Sequence, residues 1–263
     1  MSREILAHFS GRDPVMAALV RAVGPYAPAT DDCHPFQALA QAIAHQQLNG
    51  IAANTILRRL VEAYGAGPFP SPQWILDTPV ARLRAAGFSG AKVAALKDLA
   101  AQTLTAVVPE RAALLDLDDE AIIERLTQVR GIGRWTVEML LIFRLGRPDV
   151  LPVDDFGVRA GFRAAYGLKS LPHPKALAAW GERWKPYRSA AAWYLWRALE
   201  LKRAGTLPAP TERIRLPRIK RRRRAARPAA AKPRVAKRAP AGARAKRSRV
   251  RPVRGSRARG ARK

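Results

Sequence analysis

Leu126-Thr127-Gln128-Val129-Arg130-Gly131-Ile132-Gly133-Arg134-Trp135-Thr136 is the stretch whose reading decides the fold. Upstream, Ile122, Ile123, Leu126 and Val129 recur at helical spacing; downstream, Trp135, Met139, Ile142 and Thr136, Leu140, Phe143 do the same. Between the two helices sits Gly131-Ile132-Gly133. Two glycines allow a reversal that a Cβ would block, and Ile132 can plug the gap beneath. The reversal aims amide N–H groups outward at the start of the second helix, a geometry that binds phosphate. Gly-x-Gly alone is weak, because an ordinary turn has the same spelling. A dinucleotide site would need a preceding strand and a third glycine, and this stretch has neither.

Charge is unevenly spread. The chain has 263 residues and a net charge of +28, yet residues 211–263 hold 23 Lys and Arg and a single acid, Glu212. The first 210 residues keep 25 basic and 19 acidic side chains, an ordinary, mildly basic balance. They are numerous enough to bury a real core. The single cysteine, Cys33, excludes an intramolecular disulfide and a four-cysteine iron–sulfur cluster, and fits a reducing compartment. His8, His34, His45 and His173 lack metal-ligand spacing, so no zinc site is expected. The N-terminus has no long apolar run of the signal-peptide kind, and no stretch approaches a membrane span. A cytoplasmic, nucleoid or nuclear protein is the expectation.

Taken in order, residues 3–35 predict one helix, Pro14 to Val23, followed by a Pro/Asp-rich connection. Phe36 to Tyr64 is helical, with Phe36, Leu39, Ala40 and Ile43 on one stripe, and is interrupted by His45-Gln46-Gln47-Leu48-Asn49-Gly50. A polar cluster ending in Gly reads as a tight helix–helix connection. Pro68 to Asp77 reads as a turn and Thr78 to Ala86 as a short helix stopped by Gly87; Gly87-Phe88-Ser89-Gly90-Ala91-Lys92-Val93 then leads into a helix through Thr105. Leu115 to Glu120 starts the first hairpin helix, capped by Asp116 or Asp118. Helices follow over Phe156–Tyr166, Lys175–Trp184 and Ala190–Ala204. From Thr206 the chain is Ala, Pro, Arg and Lys, too poor in large apolar residues to offset the entropy of ordering it.

Downstream of the hairpin, Val153-Asp154-Asp155-Phe156 places two carboxylates before a helix, and Trp184-Lys185-Pro186-Tyr187-Arg188-Ser189 opens the last one. With the hairpin, this combination resembles the helix-hairpin-helix DNA glycosylases of base excision repair, and within them the monofunctional branch that removes alkylated bases (3-methyladenine type II). The resemblance covers most of residues 12–204. It implies an all-α fold of two helical lobes with a cleft, without the N-terminal β-domain of larger members. The expected parts are an N-terminal helical segment (1–35), a core (36–205) and a disordered basic tail (206–263).

What the resemblance implies about residues follows. Gly131, Gly133, Arg134, Thr136 and Arg130 would hold the DNA backbone, reading no sequence. Arg130 stands where many members have Pro. The carbonyls of Thr127, Val129 and Ile132 correspond to a monovalent cation site; no cofactor is required. Gln47 or Leu48 corresponds to the wedge that fills the space of an extruded nucleotide; on the residues alone the same turn also reads as a plain cap. Asp155, 22 residues beyond Gly133, matches the catalytic carboxylate, which stabilises an oxocarbenium-like sugar and orients water. Asp154 is then the helix cap. Trp135 stands where bifunctional relatives carry a Schiff-base lysine, so water is the expected nucleophile and strand cleavage is not expected.

Trp135 and Met139 share a helix face, and Tyr194 and Trp196 are expected to close the other side of a base pocket, with Trp193 left open between pocket and core. An electron-rich pocket selects cationic N3- or N7-alkylated purines. Double-stranded DNA is the partner implied, bound by a monomer. Two other readings compete: a non-enzymatic DNA-binding protein in which the Asp pair only caps a helix, and a glycosylase for deaminated or oxidised bases. An aromatic cavity beside Asp155 separates the enzyme from the binder. The tail generates its own expectation. A chain truncated near Pro210 should fold, keep its single-turnover rate at saturating enzyme, and bind undamaged DNA more weakly. Its log affinity should also fall less steeply with log salt, by roughly 0.9 for every phosphate the tail would have neutralised; an unchanged slope in a salt titration would leave the tail without this role.

Overall fold

The computed structural model describes residues 2–28, 32–65 and 67–217. Among them every regular element is helical. In order these are α1 (Ser2–Arg12), α2 (Pro14–Val23), α3 (Pro35–His45), α4 (Gly50–Tyr64), α5 (Pro72–Asp77), α6 (Val80–Ala85) and α7 (Gly90–Leu104). Then come α8 (Arg111–Leu115), α9 (Asp119–Leu126), α10 (Arg134–Phe143), α11 (Phe156–Ala165), α12 (Pro174–Gly181), a 3-10 turn (Glu182–Trp184) and α13 (Arg188–Ala204). Local chemistry sets most starts. Asn49, Ser71, Ser89 and Asp118 each accept the amide three residues on, and prolines open α2, α3, α5 and α12.

Two cores form, and they define two lobes. Helices α3 to α10 surround Leu39, Ile43, Leu60, Leu96, Leu126 and Leu141. Helices α1, α2 and α11 to α13 surround Phe9, Met16, Phe162, Trp184 and Tyr194. Trp196 of α13 packs against both cores, so it lies where the lobes meet.

The second lobe is tied together by one carboxylate. Asp13 is fully buried and caps α2 through Oδ1, which accepts the Met16 amide at 3.1 Å. Its Oδ2 accepts the Tyr166 hydroxyl (2.6 Å), the Trp184 indole N–H (2.8 Å) and the Trp180 indole N–H (3.2 Å). One cap therefore joins α2 to the end of α11, to α12 and to the 3-10 turn. Burial, reinforced by Asp13, pushes the Tyr166 hydroxyl well above its ordinary range, which keeps it a donor.

Several expectations change. α1 was not anticipated: only Ile5 and Phe9 bury, a pattern of two apolar anchors too short to stand out. Pro68–Asp77 contains α5, because Pro72 starts a helix that Ser71 caps. Among the described residues past Thr206 (207–217) there is no regular element, but Leu207, Ile214 and Leu216 pack against the second core. A boundary at 206 thus cuts into the folded body, and the truncation belongs after Pro217. The rest of the tail lies outside the described residues.

Removing the hub of the second lobe should be costly. Asp13→Ala strands a buried hydroxyl and two buried indole N–H groups, each worth about 1–3 kcal/mol when unsatisfied. Urea unfolding is expected to show a loss of about 3 kcal/mol or more; a loss under about 1 kcal/mol would contradict the hub.

Candidate active site

Asp155 ends a turn closed by its own amide on the Pro152 carbonyl at 3.0 Å. That turn is held from α13. Arg188 makes a two-point ion pair with Asp149 (2.7 and 3.0 Å), and the Ser189 hydroxyl donates to the Arg147 carbonyl (2.6 Å) and accepts the Val150 amide (2.9 Å). Arg188 and Ser189 of the Trp-Lys-Pro-Tyr-Arg-Ser segment are thus struts under residues 147–150 of the loop that carries Asp155, while Trp184 of the same segment bonds to Asp13 in the second core.

The carboxylate itself meets three N–H donors. Oδ1 accepts the Val158 amide (2.6 Å) and the Trp196 indole N–H (2.9 Å), while Oδ2 accepts the Trp135 indole N–H (2.7 Å). Asp155 therefore caps α11 and faces the site at once. The division of labour expected within the Asp pair is corrected: Asp154 is exposed and caps nothing, because the helix begins one residue later.

Beside Asp155 lies a cavity of about 400 Å³ lined by Trp135, Met139, Phe143, Trp193, Trp196 and Arg197. Phe143 and Trp196 stack with centroids 5.7 Å apart and planes 29° apart. The Arg197 guanidinium sits 5.3 Å from the Trp193 ring centroid. Asp155, Trp135, Met139 and Trp196 thus come together as expected from the sequence. Tyr194 does not. It is fully buried in the second core, with its hydroxyl donating to the Gly24 carbonyl at 2.9 Å, and Trp193 takes the place beside the cavity. One residue on a helix is a rotation of about 100°, so a pocket assignment one position off lands in the core. Trp180 and Trp184 belong to the core as read.

Gly157 was missed in the sequence. A Cβ there would lie 2.7 Å from Trp196 Cδ1 and 3.1 Å from Asp155 Oδ1. One turn on, a Cβ at Gly161 would run into the Leu195 carbonyl. Two glycines four apart on α11 let α13 approach closely enough for Trp196 to reach the carboxylate. Their i, i+4 spacing was the available signal.

At the hairpin, Gly131 has φ +79°, and Ile132 is buried beneath the turn. No side chain caps α10, so its first amides face outward. Arg130 and Gly133 are exposed, and the Arg130 amide donates to Asp98 Oδ2 at 2.7 Å. Two hairpin residues have polar groups engaged within the chain. Thr136 is buried, and its amide donates to the Gly133 carbonyl at 2.9 Å. The half-exposed Arg134 guanidinium is held by Glu120 (2.6 and 2.8 Å) and by Glu138 (3.1 Å). Burial pushes Glu138 up to about 7 despite that ion pair. In the α3–α4 turn, Gln47 is exposed with φ +58° and Leu48 is 41% exposed; Ile51 in the first turn of α4, not singled out in the sequence, is 82% exposed.

Two helical lobes, a Gly-x-Gly hairpin and an aspartate at an aromatic cleft define a helix-hairpin-helix repair-protein architecture. The model of the HhH-GPD superfamily of base excision DNA repair proteins matches residues 40–186, and the chain belongs to that family. It is 42% identical over 196 residues to DNA-3-methyladenine glycosylase 1 of Schizosaccharomyces pombe, covering 74% of this chain and 86% of that one. The S. pombe 3-methyladenine DNA glycosylase structure in complex with abasic DNA superposes with a TM-score of 0.68, covering 74% of this chain and 95% of that chain. A DNA-3-methyladenine glycosidase structure from Bacillus halodurans matches at 30% identity and TM-score 0.70, covering 76% and 91%.

The close approach at α11 gives a test. Gly157→Ala should push the Trp196 indole off Asp155 Oδ1 and change tryptophan emission, while far-UV circular dichroism stays that of a helical fold. Displacements near 1 Å in such sites cost on the order of a hundredfold in rate. If the variant's emission and base-release rate match wild type, the contact has no functional weight.

Proposed function

We propose that this protein is a monofunctional DNA glycosylase that excises alkylated purines, of the 3-methyladenine and 7-methylguanine type, from double-stranded DNA in base excision repair. One observation carries this reading: Asp155 faces an aromatic cavity rather than serving only as a cap. That same cavity counts against a non-enzymatic binder.

The chemistry follows from the groups in place. The target base must leave the stack before its C1′ can be reached. Exposed amides at the start of α10 receive backbone phosphate, and the α3–α4 turn, with Gln47 and Leu48, fills the vacated space. The extruded base enters between Trp135, Met139 and Trp196. A cationic alkylpurine is favoured there by aromatic faces. As the glycosidic bond breaks, positive charge grows on the sugar, and Asp155 stabilises it and orients water for attack at C1′. Trp135 cannot form a Schiff base, so the product is an abasic site in an intact strand.

Under the hairpin, the Val129 carbonyl already accepts the Ile132 amide, while no hydrogen bond within the described residues engages the carbonyls of Thr127 and Ile132. The Thr127 hydroxyl is turned onto the Ile123 carbonyl, so only main-chain oxygens are offered. That set suits a monovalent cation, which would add positive charge beneath the phosphate-binding amides. The protein acts as a monomer. No helix of the described residues is long and apolar enough to cross a membrane.

Asp155→Asn keeps the α11 cap, because Asn caps as well as Asp, and removes the charge. Release of methylpurine from methylated duplex should fall by at least about a hundredfold with duplex affinity nearly unchanged. In the wild type, strands should stay intact until alkali or heat is applied, and borohydride should trap no enzyme–DNA adduct. Near-normal excision by the variant would remove Asp155 from the chemistry, and a trapped adduct would point to a lysine nucleophile.

A further inference from the structure

The turn between α3 and α4 and the hairpin between α9 and α10 are far apart in sequence but directly joined. Gln46 Nε2 donates to the Gly131 carbonyl at 2.9 Å, across 85 residues. The Gln46 amide meanwhile closes α3 on the Ala42 and Ile43 carbonyls, which fixes the base of its side chain. Adjacent to Gly131, the Arg130 amide is held by Asp98 of α7. The hairpin is therefore gripped at one amide by α7 and at the next residue's carbonyl by Gln46, so it cannot tilt without breaking one of the two.

The other end of the link is braced from the same helix. Lys92 of α7 donates its Nζ to the Ala44 carbonyl at 2.7 Å, at the end of α3. The residue after Gln46 is Gln47, exposed and left-handed at φ +58°. A non-glycine residue keeps that conformation only where its surroundings over-determine it, and such positions gather at functional sites. Gln46 stands between a fixed helix end and a strained, exposed tip, and its side chain reaches the phosphate-binding turn.

We propose that Gln46 is a positioning residue: it sets the spacing between the hairpin that captures backbone phosphate and the turn that enters the duplex, so that capture at one delivers the other into the stack. This rests on the proposed glycosylase reading. Because the bond is exposed, it adds little to global stability, and its effect falls on base extrusion.

Gln46→Met keeps the length and removes the donor; Gln46→Lys restores a donor at similar reach. The melting temperature and the affinity of Gln46→Met for undamaged duplex should stay close to wild type. Its single-turnover release of an alkylated purine should fall about tenfold when the lesion is paired, and by much less when it lies opposite an abasic analogue, where extrusion is already cheap. Gln46→Lys should recover most of the rate. Fluorescence of 2-aminopurine beside an abasic site reads the distortion without any chemistry, and Gln46→Met should give a weaker rise than wild type. Equal losses on both lesion contexts, or a fall in melting temperature that tracks the rate, would reduce Gln46 to a structural residue and overturn the proposal. Unchanged rates or unchanged 2-aminopurine fluorescence would overturn it as well. A wild-type protein that releases no alkylpurine would instead sink the glycosylase reading, and the fluorescence comparison would still decide the role of Gln46.

Discussion

A carboxylate that borders an apolar cavity must have its oxygens satisfied, and the way Asp155 meets this demand organises the site. Its cap bond to Val158 fixes it to α11, and its two indole partners come from α10 and α13. Three helices from both lobes thus converge on one side chain. The aromatic walls of the cavity are placed by the same bonds that orient the acid. Everything beneath serves that convergence: the Gly157 and Gly161 stripe that brings α13 near, the Arg188 and Ser189 struts under the loop, and Asp13 holding the lobe behind it.

Much of this was legible because it depends on local pattern. The hairpin announces itself through helical periodicity on both sides of Gly131-Ile132-Gly133, whereas Asp155 was picked out by the family resemblance, the residues alone reading as a helix cap. What the sequence hid depends on rotation or long range. Trp193 and Tyr194 are neighbours in the chain, and only the packing of α13 decides which one borders the cavity. Asp154 and Asp155 are equally plausible caps until the helix start is known. Asp13 looks like an ordinary cap, and nothing local reveals that Tyr166, Trp180 and Trp184, more than 150 residues away, donate to it. Gln46 was passed over in favour of its neighbours for the same reason, since its partner lies in another element.

Arg130 shows how a departure from the family pattern is absorbed. A proline at this position would stiffen the hairpin through its fixed φ but would have no amide hydrogen. Arginine keeps that hydrogen, and Asp98 accepts it. The stiffness a ring would supply is replaced by a hydrogen bond to α7, which also binds the turn to the body of the first lobe.

The pairing of Arg134 with Glu120 and Glu138 bears on how strongly the protein is drawn to intact DNA. An arginine already paired with Glu120 and hydrogen-bonded to Glu138 displaces fewer counterions than a free one when a phosphate arrives, so it adds less to the pull toward intact duplex. The folded body, only mildly basic, therefore exerts a weak nonspecific pull on a phosphate backbone, and most of the chain's excess charge lies beyond Pro210.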